Sequence, residues 1–181
     1  MTHLTGQQPF YYYVLKGYTN ILADERDKKK LLDIVLGILQ EYGFELYAFC
    51  ITNEEVCLML GAADQAEIDK GVRQLIAEFC SWRVKGLKNT SDEQSAEELT
   101  VEQIKKLRTE QEVRLQCREI HCIPLSRNYV AQIKDYWWSS YQAYLGYYDW
   151  KQVNCSEILQ MFSDNIVTAR RQFRRFHNLY K

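Results

Sequence analysis

No apolar run in this 181-residue sequence approaches the roughly 20 residues that a membrane-crossing helix needs. The six cysteines (Cys50, Cys57, Cys80, Cys117, Cys122 and Cys155) include no Cys-x-x-Cys pair, and no charged-then-apolar segment of the secretory kind precedes them. Each is most simply a small buried hydrophobe carrying a reduced thiol. A soluble, cytoplasmic protein without a membrane partner is the expectation. Excess charge of one sign is also missing: 23 Lys and Arg stand against 24 Asp and Glu, a net charge of −1. No whole-molecule positive field would draw in a polyanion, so any nucleic-acid site must be local. There is no internal repeat.

What is present is apolar and aromatic. Hydrophobic residues make up 46% of the chain, with 13 Tyr, 7 Phe and 4 Trp, enough for a packed interior and against disorder, collagen or low complexity. The length suits one domain, or one domain with an appendage.

Phe10 to Lys16 is an aromatic and β-branched run closed by Gly17 and reads as a strand. From Asp24, a capping carboxylate, Leu31, Leu32, Ile34, Val35, Ile38, Leu39 and Tyr42 recur at helical spacing until Gly43. Phe44 to Ile51 and Val56 to Leu60 are strand-like and joined by the turn Thr52-Asn53-Glu54-Glu55, hence a hairpin. A second helix opens at Asp64, with Glu67 completing a capping pair, and runs through Ile68, Val72, Leu75, Ile76 and Phe79.

The order β-α-β-β-α is most of an α+β, ferredoxin-like antiparallel sheet with helices on one face. A fourth strand is owed, and only Arg83 to Leu87 and Leu99 to Ile104 offer a weak signal for it. Ser91 to Glu112 holds seven acids against three bases and reads as a linker and a solvated helix opening at Thr100, with Gln103 as capping partner. A further helix over Glu110 to Cys122 is expected to stop before Pro124. The divisions are then residues 1–86 as the core, 87–112 as acidic linker and helix, and 113–181 as a helical, aromatic-rich completion of the same domain.

The last third carries Tyr136-Trp137-Trp138-Ser139-Ser140-Tyr141, then Tyr144, Tyr147, Tyr148 and Trp150, read as residues that seal a core edge. The closing segment from Ser163 has Ile166, Ala169, Phe173 and Phe176 in helical rhythm. It bears Arg170, Arg171, Arg174, Arg175 and Lys181, with no acid after Asp164. This is the one concentrated basic surface.

Three blocks together resemble the REP-associated tyrosine transposases, single-strand DNA transposases of the HUH endonuclease superfamily. They are Tyr11 to Gly17, then Ile120-His121-Cys122-Ile123-Pro124 leading to Asp135 through Tyr141, and Leu159 to Asp164 through Phe176. The resemblance spans nearly the whole chain and is most specific at the Trp-Ser-Ser-Tyr block. It implies the same ferredoxin-like core. In the family a His-hydrophobic-His triplet on the strand after the hairpin turn holds Mg²⁺ or Mn²⁺ at the scissile phosphate, and a tyrosine attacks it.

Here the matching triplet is Glu55-Val56-Cys57, and the family's first-strand histidine corresponds to Tyr12. The resemblance puts the nucleophile on the helix after the hairpin, at Phe79, and no tyrosine lies between Tyr47 and Tyr129. The family's Asn-Pro-Val-Arg becomes Ile123-Pro124-Leu125-Ser126. The resemblance therefore implies a diverged member without metal, cofactor or cleavage. His121 reads as a hydrogen-bonded structural residue rather than an acid or base.

DNA binding is separable from cleavage. Lys16, Arg83, Lys85, Lys88, Arg170, Arg171, Arg174 and Arg175 are the candidate phosphate contacts, with Tyr12 and Trp82 as candidate base platforms. The expected partner is single-stranded or hairpin DNA. The alternatives are a non-catalytic module that binds another protein, and a nuclease with a non-standard site.

Overall fold

The computed structural model describes residues 8–17, 20–87, 99–148 and 150–178. The elements are β1 (Phe10–Gly17), α1 (Glu25–Tyr42), β2 (Glu45–Ile51), β3 (Glu55–Gly61), α2 (Gln65–Leu87), β4 (Leu99–Leu107) and α3 (Glu110–Ser126). A 3₁₀ turn (Ile133–Asp135), α4 (Tyr141–Leu145), α5 (Cys155–Gln160) and α6 (Ile166–Asn178) follow. The strands form one antiparallel sheet in the order β2-β3-β1-β4, the ferredoxin-like arrangement.

β1 is central and buried on both faces, which is why its sequence is continuously apolar rather than alternating. Tyr12 and Tyr13 point to opposite faces because strand side chains alternate. The Tyr13 hydroxyl donates to Asp69 of α2 at 2.5 Å, and α2 packs on α1, so these helices cover the Tyr13 face. Tyr12 is paired in register with Lys105, whose Nζ donates to Gln116 of α3 at 3.4 Å. Helix α3 therefore crosses the Tyr12 face.

Helix α1 begins and ends, and α2 begins, where capping residues sit. Asp24 accepts from the Arg26 N–H, and α1 stops at Gly43 in the left-handed region (φ 67°). Asp64 accepts from the Ala66 N–H at the start of α2. In the hairpin, Thr52 Oγ1 accepts from the Glu54 and Glu55 N–H groups.

The segment read as a helix at Thr100 is instead the fourth strand. Its backbone pairs with β1 from Gly17↔Leu99 to Phe10↔Leu107. Leu99 and Leu107 are buried at its ends, and the residues between face solvent at the sheet edge. A bulge opposite Val14 and Leu15 leaves Glu102 unpaired. Leu99 to Ile104 lies in this strand, while Arg83 to Leu87 forms the last turns of α2. Part of the acidic stretch, residues 91–98, lies outside the described residues.

Helix α3 is also longer than its proline suggested. It runs to Ser126 with Pro124 inside its last turn, where the lost N–H costs a single helical bond. The chain then closes through Arg127 N–H to Ile123 O, Asn128 N–H to Leu125 O and Tyr129 N–H to Pro124 O. Its start is a capping box between Thr109 and Glu112.

The Trp-Ser-Ser-Tyr block covers the outer edge of β2. Ile51 N–H donates to Trp138 O, Ser140 N–H to Phe49 O and Tyr136 Oη to Ile51 O, all between 2.8 and 3.1 Å. Asn154 N–H continues the edge by donating to Leu46 O at 2.8 Å. An open strand edge is thus paired before anything else can pair with it. Helix α6 docks through Ala169, Phe173 and His177, with Phe173 stacked on Tyr144 at 4.5 Å.

Candidate functional site

On the α3 face of the sheet, Tyr12, Glu55 and Cys57 come together. Tyr12 sits on β1 and the other two on β3, with Cys57 opposite Val14 and Glu55 opposite Lys16, so all three share the face. The Tyr12 hydroxyl donates to Cys57 Sγ at 3.5 Å. Glu119 from α3 lies near enough to bear electrostatically on the phenol. Arg127, just past α3, completes the cluster: Nη2 is 2.7 Å from Glu55 Oε1, and Nη1 is 3.3 Å from Glu54 Oε2. Arg127 and Glu119 escaped the sequence reading, because they are brought in by how α3 crosses the sheet.

Burial sets the protonation of this cluster. It pushes the Cys57 thiol up to about 12 and the Tyr12 phenol up as well, reinforced at Tyr12 by the neighbouring thiol and carboxylates. Both are neutral near pH 7. Mg²⁺ and Mn²⁺ require hard oxygen ligands or imidazole, and here a protonated thiol and phenol face a carboxylate already held by a guanidinium. This donor set does not fit the divalent ion that the resemblance implies.

Phe79 is not part of the cluster. It lies on α2, across the sheet from Tyr12, fully buried and stacked on Trp82 at 6.0 Å. Helix α3, which crosses the Tyr12 face, contains no tyrosine.

The candidate phosphate contacts separate into two groups. Arg83 is committed to structure: Nη1 donates to Asp27 Oδ2 at 2.7 Å and also to Ile21 O. Lys16, Lys85, Arg170, Arg171, Arg174 and Arg175 are exposed, and among the described residues no carboxylate pairs with the four arginines of α6. Lys88 lies outside the described residues. Neither candidate platform is open. Tyr12 is only 8% exposed, and the Trp82 ring has the Arg26 guanidinium over it at 5.2 Å.

The structure offers different aromatics. Tyr147 and Tyr148, read from sequence as packing residues, are 62% and 43% exposed, and Trp137 is 49% exposed in edge contact with Tyr148. A groove of about 480 Å³ runs between Tyr148, Trp150, Lys151 and Arg170. Helix α4 ends there at Gly146 (φ 74°), where a Cβ would lie 2.6 Å from Arg170 Nη1. The missing side chain lets the guanidinium lie against the backbone beside Tyr147. Arg174, one turn on, lines a second groove of about 250 Å³ on α4. Among the described residues, no helix is long and apolar enough to cross a membrane.

The chain thus folds as a four-stranded antiparallel sheet with two helices on one face and a third across the other. A solved structure of the REP-associated tyrosine transposase bound to a REP hairpin superposes with a TM-score of 0.59, covering 82% of this chain and 86% of that one, at 14% identity. A second, provisionally named a transposase, from Deinococcus radiodurans R1, is 21% identical over 66% of this chain and 88% of its own, with a TM-score of 0.45. At 14% identity the first of these likenesses establishes the fold alone. No protein-family model matches the chain, and no curated protein sequence matches it.

Proposed function

We propose that this chain binds hairpin or single-stranded DNA through α6 and the adjoining aromatic groove, and that it does not cut the strand it holds. The observation that carries the reading is the placement of Arg170 against Gly146, between the exposed rings of Tyr147 and Tyr148 and the rest of the basic helix. Single-strand binding needs cations that follow the phosphates and flat rings on which bases stack. Both are here in one place, on a fold shared with a transposase solved on a hairpin. The absence of cleavage is inferred from the Tyr12 face, where the donors are a phenol, a thiol and an ion-paired carboxylate and α3 brings no tyrosine.

The test is a salt titration with a labelled DNA hairpin carrying a single-stranded flank. Binding should be saturable at low salt and fall steeply as salt rises. Converting Arg170, Arg171, Arg174 and Arg175 to glutamine should remove most of it. Absence of saturable binding at low salt would leave the exposed Trp137, Tyr147 and Tyr148 as a protein-binding patch instead.

A further inference from the structure

Beneath α6 lies a cluster that DNA binding does not use. Cys117 and His121 are four residues apart on α3 and so share one helix face, and His177 comes from α6, 56 residues further along the chain. All three are buried, and one ligand atom from each lies within 4.8 Å of the others. His121 Nδ1 is 3.8 Å from Cys117 Sγ and 3.1 Å from His177 Nε2. Metal–nitrogen bonds of about 2.0 Å and metal–sulfur bonds of about 2.3 Å span the 3.1 and 3.8 Å separations.

We propose that Cys117, His121 and His177 form a three-ligand site for a soft monovalent cation, Cu⁺. The far nitrogen of each ring already has an oxygen partner of the kind that orients a metal-binding histidine. His177 Nδ1 is 2.9 Å from Phe173 O, and His121 Nε2 is 2.8 Å from Ser140 Oγ. With those nitrogens donating, His121 Nδ1 and His177 Nε2 remain as the two ligand nitrogens, 3.1 Å apart, and the first of them is 3.8 Å from the Cys117 sulfur. Ser140 Oγ takes the His121 proton as acceptor while its own hydroxyl donates to Phe49 O.

The choice of ion follows from coordination and charge. Zn²⁺ in structural sites takes four ligands, whereas thiolate with imidazole also suits Cu⁺. Tyr141, Tyr144 and Phe173 wall the cluster, so a charged complex would be costly. Cu⁺ with one thiolate and two neutral imidazoles has no net charge, and Zn²⁺ with the same ligands keeps one positive charge. Binding exchanges one proton: the Cys117 thiol releases H⁺ to solvent as the Cu–S bond forms, with no change of oxidation state. Because the ligands span α3 and α6, the ion would also pin α6 to the core.

The test is anaerobic refolding of the full chain with Cu⁺ in competition with a chromophoric Cu⁺ chelator. One equivalent per chain should be withdrawn from the chelator, and thermal unfolding should shift upward. Cys117→Ala and His177→Gln should each lose the equivalent, while Cys57→Ala, at a buried thiol outside the cluster, keeps it. Failure of the wild-type chain to take up Cu⁺, or retention of the equivalent by Cys117→Ala, overturns the site. Stoichiometric Zn²⁺ uptake with Cu⁺ excluded overturns the choice of ion. The wild-type result decides even where a variant does not fold.

Discussion

Arg127 Nη2 lies 2.7 Å from Glu55 Oε1, on the face of the sheet where the resemblance calls for a divalent cation. The guanidinium carries a single positive charge, and it partners a carboxylate that is almost wholly buried. Arg127→Met should strand that carboxylate and cost about 1–2 kcal/mol, between the values for exposed and fully buried pairs because Arg127 is partly exposed. Glu55→Gln combined with Arg127→Met should recover much of the loss. Urea midpoints of the two single variants and the double variant measure this. Additive losses would show that the pair is not coupled.

The α6 arginines and Arg83 should behave in opposite ways. Each of Arg170, Arg171, Arg174 and Arg175 that contacts a phosphate should lower the slope of log affinity against log salt by about 0.7–0.9 when replaced by glutamine. Stability should change by no more than about 0.5 kcal/mol for each. Arg83→Gln breaks the tie from α2 to Asp27 and Ile21 O, so it should lower the melting temperature and leave the salt slope unchanged. Hairpin titrations beside thermal melts separate the two groups.

Phe79→Tyr should not create a nuclease. The new hydroxyl would sit in the packed layer between α2 and the sheet, costing about 1–3 kcal/mol if it finds no partner. A covalent DNA adduct with this variant would mean that α2 reaches the Tyr12 face.

Thiol reactivity of the metal-free protein should follow burial. The thiolate is the reactive form, and its fraction rises about tenfold per pH unit below the pKa. Cys57 and Cys122 are pushed up to about 12, and burial pushes Cys50 and Cys117 up as well. At pH 8 all four should resist a disulfide reagent until the protein unfolds, and half-buried Cys80 should react first. Mass mapping of labelled peptides reads the order. Early labelling of Cys57 would contradict the neutral, closed cluster.

Much of the fold was legible because its signals are local. The aromatic run of β1, the caps Asp24, Gly43 and Asp64, and the Thr52 turn each carry their own chemistry. β4 showed only weakly, at Leu99 to Ile104, since an edge strand faces solvent and shows no apolar alternation, and the bulge at Glu102 breaks the period of two. Pro124 misled because one missing bond is tolerated in a last helical turn. The convergence of Tyr12, Glu55 and Cys57 follows from strand alternation. Arg127, Glu119 and the pairing of His121 with His177 depend on how α3 and α6 dock. The exposure of Tyr147 and Tyr148 depends on where α4 ends, which the sequence marks only with Gly146.

Binding without cutting is tested most directly in one sample. The chain is mixed with an end-labelled hairpin bearing a single-stranded flank and Mn²⁺, then divided between a native and a denaturing gel. A retarded band on the native gel, with only intact free DNA on the denaturing gel, is the expected result. No retarded band at low salt, or labelled DNA covalently attached to protein after denaturation, would contradict it.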